Sequence, residues 1–270
     1  MKQPRLVTLY SGSGGNSTFV SSGTTNILID AGKSARSLCC ALRSIGSDIS
    51  EIDAIFITHE HADHVSALEV LSKKHSIPVH MTVDSAKKFD GVRDCPLDSL
   101  IVRHDTVFSE TVGDMTVSSF RTPHDSRMSV GYRISLDSKG YCLGVATDIG
   151  YVTPSIRQGL DGCLAVVLES NHDIAMLEDG PYPEYLKNRI LSKRGHLCNS
   201  DSACLAAELV RNGTQGFILA HLSAENNLPE LAYDEYLSII SDSKISIAVA
   251  APDAPTELDL SNCEVCKCLD

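Results

Sequence analysis

The feature that most restricts how this chain can fold is a cluster of histidines and acidic residues at positions 59–64. Three imidazoles and two carboxylates occur there within six residues, in the order His-Glu-His-Ala-Asp-His. The apolar run 53–58 directly precedes the cluster, and its β-branched residues are typical of a buried strand. A loop at the end of a rigid strand therefore carries several potential metal ligands, which is where functional side chains commonly lie.

The periodicity of apolar residues predicts a mixed α/β protein. Strand-like runs, helical spacings and turn-rich segments alternate through two halves of the chain. Such an order is typical of two packed β-sheets with helices outside them. The predicted strands are 6–9, 18–22, 26–30, 53–58, 78–81, 111–120, 130–136, 141–147, 164–168, 216–220 and 245–250. The predicted helices are 34–45, 66–75, 84–89, 183–194, 201–212 and 231–240.

Further candidate ligands each follow a predicted strand. His124 lies in the segment Thr-Pro-His-Asp, Asp148 ends Ala-Thr-Asp, and His221 begins His-Leu-Ser. Taken alone, each residue of this kind is more often part of the core or the surface. Together with the cluster they form a set of imidazoles and carboxylates without nearby cysteine. This set suits zinc, manganese or iron and argues against a closed structural zinc site.

In order and spacing these motifs resemble the metallo-β-lactamase superfamily over nearly the full chain, and the segment 28–32 (Leu-Ile-Asp-Ala-Gly) resembles its first motif. The resemblance implies a four-layered αββα sandwich that holds two divalent metal ions. Asp30 is expected to orient ligands by hydrogen bonds from outside the coordination sphere. The ligands that the resemblance implies are His59, His61 and His124 for one ion, Asp63, His64 and His221 for the other, and Asp148 as a bridge.

Other segments resemble the YycJ/WalJ branch of this superfamily, which is similar to the tRNase Z nucleases. That resemblance implies a two-metal-dependent hydrolase that cleaves phosphodiester bonds with a metal-bridging hydroxide as nucleophile. It further implies a 5′-to-3′ exonuclease that prefers single-stranded or nicked DNA. The segments that carry the resemblance are 11–17, 169–173, 180–183, 195–199 and 221–227.

The catalytic residues expected from the resemblance are Asp63, Glu169 and His196. In the tRNase Z relatives a glutamate supports a histidine that protonates the leaving oxygen, and Glu169 and His196 occupy the matching positions. Chemistry supports the same roles for Glu169 and His196, because an expelled alkoxide needs a proton and an imidazole with a carboxylate partner can donate one. His172 competes for the same role. Capping or packing is the alternative role for both histidines.

Four polar residues are candidate contacts with substrate or with the metal ligands. The segment 11–17 contains Ser13 and Asn16, and its freed backbone N–H groups and hydroxyls suit an anion. The same composition is also that of an ordinary turn. Ser223 and Asn226 lie shortly after His221 and are candidates for holding a phosphate.

The charge of the chain limits its possible substrates. A formal net charge of −12 argues against a surface that attracts nucleic acid throughout. Two dications would nevertheless make the site locally positive, and binding the end of a strand needs few phosphate contacts. There is no β-CASP-like insertion between Asp148 and His221 and no long basic arm, which argues against pre-tRNA. The alternatives are a small-molecule phosphodiesterase, a thioester hydrolase and a metal-bound regulatory module without turnover. An open basic groove would favour DNA over a small molecule.

Length and composition predict a single domain over residues 1–270, since no linker, repeat or low-complexity segment stands out. No apolar run of membrane-spanning length and no secretory signal is evident, so a cytoplasmic protein without membrane association is expected.

Most of the ten cysteines are expected to be buried, reduced thiols. Cys263, Cys266 and Cys268 lie in a tail, 255–270, that is expected to be flexible or, alternatively, to bind a soft metal or oxidise.

Overall fold

The structure is a computed structural model that describes residues 3–90, 97–137, 139–240 and 244–260. Within these ranges the strands form two seven-stranded sheets. The strands are β1 (Arg5–Tyr10), β2 (Ser17–Ser21), β3 (Asn26–Ile29), β4 (Ala54–Phe56), β5 (Val79–Thr82), β6 (Ile101–His104), β7 (Ser109–Val112), β8 (Met115–Thr122), β9 (Ser129–Leu136), β10 (Tyr141–Ala146), β11 (Ala165–Glu169), β12 (Gly216–Ala220), β13 (Ser246–Val249) and β14 (Thr256–Leu258). The helices are α1 (Ala35–Ser44), α2 (Ala62–Val65), α3 (Leu68–His75), α4 (Val83–Ala86), α5 (Leu97–Leu100), α6 (Pro154–Leu160), α7 (Ile174–Asp179), α8 (Glu184–Ile190), α9 (Asn199–Arg211) and α10 (Pro229–Ile239), with a short 3-10 helix at Ile49–Glu51.

The two sheets pack face to face with helices on both outer faces. The first sheet has the order β14-β1-β2-β3-β4-β5-β6, and the second has the order β13-β12-β11-β10-β9-β8-β7. One apolar core lies between the sheets. A second joins the first sheet to α1 and α3, and a third joins the other sheet to α6, α9 and α10. The predicted four-layered αββα sandwich is therefore confirmed.

Parallel strands in both sheets place their carboxyl ends at one edge of the sandwich. In the first sheet β3, β4, β5 and β6 run parallel, and in the second β10, β11, β12 and β13 do so. Loops at the carboxyl ends of such strands form the usual ligand-binding crevice of α/β sheets. The loops after β3, β4, β10 and β12 all carry residues that were singled out in the sequence.

The structure differs from the predicted secondary structure in several places. The segment 111–120 is not one strand, because Gly113 (φ 56°) turns the chain and forms the β7–β8 hairpin. The helix predicted at 183–194 is shorter, spanning Glu184–Ile190, while α6, α7 and β6 were not predicted. Inside the stretch expected to be a flexible tail, Thr256–Leu258 forms a strand paired with β1, because the apolar side chain of Leu258 is buried in the core between the sheets.

The cysteines are less uniformly buried than predicted. Six lie in the described ranges and all of them are free thiols, but Cys40 and Cys204 are exposed. Cys95 and the three tail cysteines lie outside the described residues. None of the described helices has both the length and the apolar composition needed to cross a bilayer.

Candidate metal centre

The structure brings together all seven side chains predicted as metal ligands. They come from loops far apart in the chain, yet their nitrogen and oxygen atoms form overlapping groups in which all atoms lie within 4.8 Å of one another. These groups are His59/His61/His124, His59/His64/Asp148, Asp63/His64/His221 and Asp148/Glu169/His196/His221. Four residues, His59, His64, Asp148 and His221, each belong to two groups. The arrangement fits divalent metal ions with shared ligands.

Four of the histidines are oriented in the same way, with Nδ1 held by a neighbouring oxygen atom. Ring nitrogens held by such contacts fix the orientation of an imidazole and leave Nε2 to face an ion. The contacts are His59 Nδ1 to Thr58 Oγ1 (3.0 Å), His64 Nδ1 to Asp30 Oδ2 (2.8 Å), His124 Nδ1 to the carbonyl oxygen of Gly195 (3.1 Å) and His221 Nδ1 to Glu169 Oε1 (3.1 Å).

Three buried polar atoms in the centre have no hydrogen-bond partner. They are Nε2 of His59, Nε2 of His221 and Oδ2 of Asp148. Buried polar atoms are nearly always satisfied, and leaving one unpaired costs about 1–3 kcal/mol. Since these atoms are imidazole nitrogens and a carboxylate oxygen, divalent cations between them would satisfy them. The residues present therefore fit the metal ions that the fold implies.

Electrostatics favour the carboxylate form of Asp148 and the neutral form of His59, whereas the charge of Asp148 outweighs burial and raises the pKa of His221 to about 10. Burial raises the pKa of Asp148, but the surrounding histidines, His221 foremost, outweigh burial and lower it well below its ordinary value. Burial and the neighbouring His64 lower the pKa of His59 well below its ordinary value. A carboxylate and a neutral imidazole are the forms that coordinate metal.

Three residues of the centre adopt a left-handed backbone conformation. Asp30 (φ 64°) and His221 (φ 58°) directly follow β3 and β12, and Asp148 (φ 57°) lies two residues after the end of β10. Among the described residues only Ser76 is a further non-glycine residue with positive φ. Such conformations cost of order 1–3 kcal/mol each and cluster at functional sites, where surrounding structure enforces them. The sharp turns aim these side chains into the crevice between the sheets.

The loop at 11–17 supports the metal ligands from one side. The side-chain Nδ2 of Asn16 lies 3.2 Å from Asp63 Oδ2 and 3.1 Å from His64 Nε2, and its backbone N–H donates to the carbonyl oxygen of Asp63. The backbone of Gly32 passes so close that an added Cβ would lie 1.6 Å from the same oxygen. Ser13 lies exposed on this loop. Asn16 thus reaches the centre and holds Asp63.

Three residues that were not predicted also orient the ligands. The hydroxyl of Ser11 accepts a hydrogen bond from the backbone N–H of His221 (2.6 Å). Thr58 donates from its hydroxyl to Asp30 (2.9 Å), and Asn171 donates from its side chain to the carbonyl oxygen of His221 (2.7 Å). Ser11 and Asn171 lie inside segments that carried the family resemblance, which is the signal that would have found them.

Glu169 anchors the predicted general acid. Its carboxylate is fully buried, and Oε1 accepts from His196 Nδ1 (2.7 Å) and His221 Nδ1 (3.1 Å). Oε2 accepts from the backbone N–H of Ile149 (2.6 Å) and Leu197 (3.2 Å). Burial raises the pKa of Glu169, but His196 and His221 outweigh it and lower the pKa to about 2. Nε2 of His196 is the ring nitrogen left for a substrate.

The competing histidine and Asn226 are buried, whereas Ser223 is partly exposed. His172 is 1% exposed, neither of its ring nitrogens has a partner, and burial lowers its pKa to about 4. Asn226 is fully buried and donates from its side chain to the hydroxyl of Ser223 (3.2 Å). Ser223 also donates from its backbone N–H to the carbonyl oxygen of Asn171. These contacts stabilise the loop that follows His221.

An open cavity of about 680 Å³ adjoins the centre at His124. No acidic side chain of the described residues lines it. Four cations do so, and one of them, Lys193, has Nζ 5.9 Å from the ring centroid of the exposed Tyr151. We call this cavity the basic groove, and its cations are Arg121, Arg127, Lys193 and Arg194.

We expect an Asp30→Asn substitution to weaken metal binding without unfolding the protein. Asparagine tolerates the left-handed backbone at this position. Its amide nitrogen would face N–H or O–H donors where Asp30 accepts from Thr58 and contacts His64 Nδ1. Loss of such a supporting carboxylate typically lowers metal affinity by about 10–100-fold. Competition with a chromophoric chelator measures the affinity, and an unchanged zinc affinity with unchanged circular dichroism would contradict the expectation.

Comparison with known proteins agrees with this geometry. The family model described as the beta-lactamase superfamily domain matches residues 25–221. The exodeoxyribonuclease YycJ of Bacillus anthracis is 33% identical over 261 residues, which cover 93% of this chain and 96% of the relative. The exodeoxyribonuclease WalJ of Streptococcus pneumoniae serotype 2 is 32% identical over 260 residues, which cover 93% and 95%.

A solved structure supports the fold. The metallo-beta-lactamase fold protein YhfI of Bacillus subtilis superposes with a TM-score of 0.69 at 16% identity, over 94% of this chain and 100% of that one. Together with the cluster of histidines and aspartates, this fold implies divalent metal ions. The resemblance inferred from the motifs is confirmed: the chain belongs to the beta-lactamase superfamily and, within it, to the family that contains YycJ and WalJ.

Proposed function

We propose that this protein is a two-metal-dependent phosphodiesterase that degrades single-stranded or nicked DNA as a 5′-to-3′ exonuclease. The observation that carries the proposal is the basic groove beside the metal centre, in a chain whose net charge is −12. The names of the relatives, which are exodeoxyribonucleases, support the same substrate. A cytoplasmic location, where such a substrate occurs, belongs to the proposal.

The proposed ligands divide between two ions of zinc, manganese or iron. Asp148 lies between both halves of the centre, with Oδ2 3.3 Å from His64 Nε2 and Oδ1 3.6 Å from His124 Nε2. When bound there, two such ions would supply an activated water and neutralise the charge that develops on the phosphoryl group. The ligands are His59, His61 and His124 on one side, Asp63, His64 and His221 on the other, and Asp148 between them.

The proton for the leaving oxygen comes from His196 in this proposal. Glu169 holds Nδ1 of His196 at 2.7 Å, so that Nε2 carries the proton that is donated. The side chain of His196 is 16% exposed, whereas His172 is buried. Access to the groove therefore favours His196 over His172 as the general acid.

The basic groove accounts for DNA binding by an acidic protein. Its four cations are exposed: Arg121 lies near the end of β8, Arg127 on the loop that follows β8, and Lys193 and Arg194 on the loop after α8. Cations that line a groove track a phosphate backbone, and an exposed aromatic ring such as that of Tyr151 stacks on a base regardless of its identity. The cavity of about 680 Å³ opens to solvent, and this opening, unlike the volume, suits a strand that passes through better than an enclosed small molecule.

The test is degradation of oligonucleotides by metal-loaded protein. Single-stranded, nicked and intact duplex DNA, labelled at either the 5′ or the 3′ end, are incubated with protein that carries zinc or manganese. Stepwise loss from the 5′ end of single-stranded and nicked DNA is expected. Turnover of bis-p-nitrophenyl phosphate without any DNA cleavage would overturn the substrate and leave a small-molecule phosphodiesterase. Absence of both activities would leave a metal-bound module.

Neutralising the basic groove is expected to weaken DNA binding in a salt-dependent way. An Arg127→Ala/Lys193→Ala double variant should lower the slope of log affinity against log salt by roughly 1 for each lost phosphate contact. Turnover of bis-p-nitrophenyl phosphate should stay unchanged, because the metal centre is intact. Fluorescence anisotropy with a single-stranded oligonucleotide at several salt concentrations measures the slope.

The matched control removes one arginine and one lysine elsewhere. Arg36 and Lys73 are exposed on α1 and α3 and do not line the groove. An Arg36→Ala/Lys73→Ala variant changes the net charge equally and is expected to leave the salt slope unchanged. Equal slopes for the two double variants would show that the groove does not contact phosphates.

A further inference from the structure

A second cluster of potential ligands lies outside the metal centre and is not used in the proposed reaction. Ligand atoms of His80, His104 and Glu110 all lie within 4.8 Å of one another. Nδ1 of His80 is 3.0 Å from Nε2 of His104. His80 is buried, whereas His104 and Glu110 are partly exposed, so that solvent and an ion can reach the cluster.

The cluster joins the two sheets at β6 and β7, which are the last strands of their sheets among the described residues. His104 ends β6, the last strand of the first sheet, and Glu110 lies on β7, the last strand of the second sheet. His80 lies on β5 and pairs with Val102 of β6. The imidazoles therefore come from one sheet and the carboxylate from the other. Bare sheet edges are weak points that proteins commonly protect.

Two aromatic rings hold the imidazoles in place. The ring of Phe56 stacks on His80 with centroids 4.5 Å apart and an interplanar angle of 16°, and Phe108 stacks on His104 at 3.9 Å and 9°. Packing of this kind restricts the rotamers of both histidines. Side chains that are fixed before an ion arrives lose little conformational entropy when they bind it.

We propose that His80, His104 and Glu110 form a third divalent-metal site, distinct from the metal centre, that binds zinc and links the edges of the two sheets. Two histidines and one glutamate are an established zinc ligand set that leaves the fourth position to water. Tetrahedral zinc with Zn–N bonds of about 2.0–2.1 Å places two ligand nitrogens about 3.3 Å apart. The nitrogens of His80 and His104 need only a small adjustment from 3.0 Å.

The protonation states suit this role. Burial lowers the pKa of His80 to about 4, with a further contribution from His104, and burial also lowers the pKa of His104. Both imidazoles are thus neutral at pH 7 and need not lose a proton to coordinate zinc. Without an ion, the two nitrogens would share a direct N–H···N hydrogen bond. The experiment therefore has to separate an ion from that hydrogen bond.

The test counts zinc ions per chain at a fixed free zinc concentration, and its readout does not depend on catalysis. A His104→Phe variant keeps a ring on Phe108 but removes the ligand, and Glu110→Gln removes the carboxylate with little change in shape. Each variant is expected to bind one zinc ion fewer than wild type by elemental analysis after equilibrium dialysis. A His75→Gln variant, which changes an exposed histidine of α3 outside the cluster, should bind as many as wild type.

Thermal unfolding provides a second readout. Zinc that binds only the native state stabilises it by mass action, so excess zinc should raise the Tm of wild type and of His75→Gln more than that of His104→Phe. Equal zinc counts and equal zinc-dependent Tm shifts in all four proteins would overturn the site. DNA cleavage by the His104→Phe variant should match that of wild type, so failure of this proposal and failure of the exonuclease proposal are distinguishable.

Discussion

An Asp148→Asn substitution is expected to abolish hydrolysis of both DNA and bis-p-nitrophenyl phosphate while leaving the fold intact. The carboxylate of Asp148 lies within 3.7 Å of Nε2 atoms on both sides of the centre, those of His64, His124 and His221. Asparagine keeps the volume and tolerates the left-handed backbone at φ 57°. The change therefore removes the negative charge and little else.

The expected loss of rate follows from the role of the Asp148 charge in holding the proposed metal ions. Two ions that stabilise transition-state charge contribute several kcal/mol, and losing such a term slows the reaction by about 10³-fold or more. Bound metal per chain should fall in parallel, as elemental analysis can show. An Asp234→Asn variant, which changes an exposed carboxylate on α10, is the control and should keep metal and rate. Full metal content and a rate within about tenfold of wild type would remove Asp148 from the proposed ligand set.

The sequence could predict that the candidate ligands lie together because of where they occur in the chain. Each ligand loop follows an apolar run that reads as a buried strand, and the carboxyl ends of parallel strands meet at one edge of a sheet. His59, Asp148 and His221 therefore converge even though more than half the chain separates the first from the last. The cluster at 59–64 also indicates metal binding, since its histidines and carboxylates lie so close together in the sequence that they can be recognised without the structure.

What the sequence does not predict depends on tertiary packing. The hydrogen bond from His221 to Ser11 spans 210 positions, and no local pattern relates the two residues. The burial of His172 and Asn226 could not be predicted from the sequence either, because polar residues of a loop are usually exposed. The basic groove combines loops that are about 70 residues apart. The net charge of −12 gives no indication of this local positive charge.

Some elements that were not predicted do have a local sequence signal. Thr153 followed by Pro154 is a standard helix start, and in the structure the Thr153 side chain accepts from the N–H of Ile156 at the beginning of α6. Gly113 within the predicted strand 111–120 is likewise a turn signal. The cluster proposed as a third metal site had no such signal, because His80, His104 and Glu110 are joined only by strand pairing and the packing of the two sheets.

A His196→Ala substitution is expected to slow DNA cleavage by about 10²–10⁴-fold, the usual contribution of a general acid. The variant should keep its metal, because Nδ1 of His221 remains held by Glu169 at 3.1 Å and no proposed ion depends on His196. The loss should depend on the leaving group. An alkoxide of deoxyribose needs a proton as it departs, whereas p-nitrophenolate is a stable anion that leaves without one.

Comparing two substrates therefore separates acid catalysis from a structural role. Turnover of bis-p-nitrophenyl phosphate by His196→Ala should stay within about tenfold of wild type, while DNA cleavage falls by at least about 10²-fold. A His172→Leu variant tests the competing assignment. Since His172 is 1% exposed and its ring nitrogens have no hydrogen-bond partner, its replacement is expected to affect both substrates equally and weakly. A selective loss of DNA cleavage in His172→Leu, with equal losses on both substrates in His196→Ala, would instead make His172 the proton donor and His196 a positioning residue.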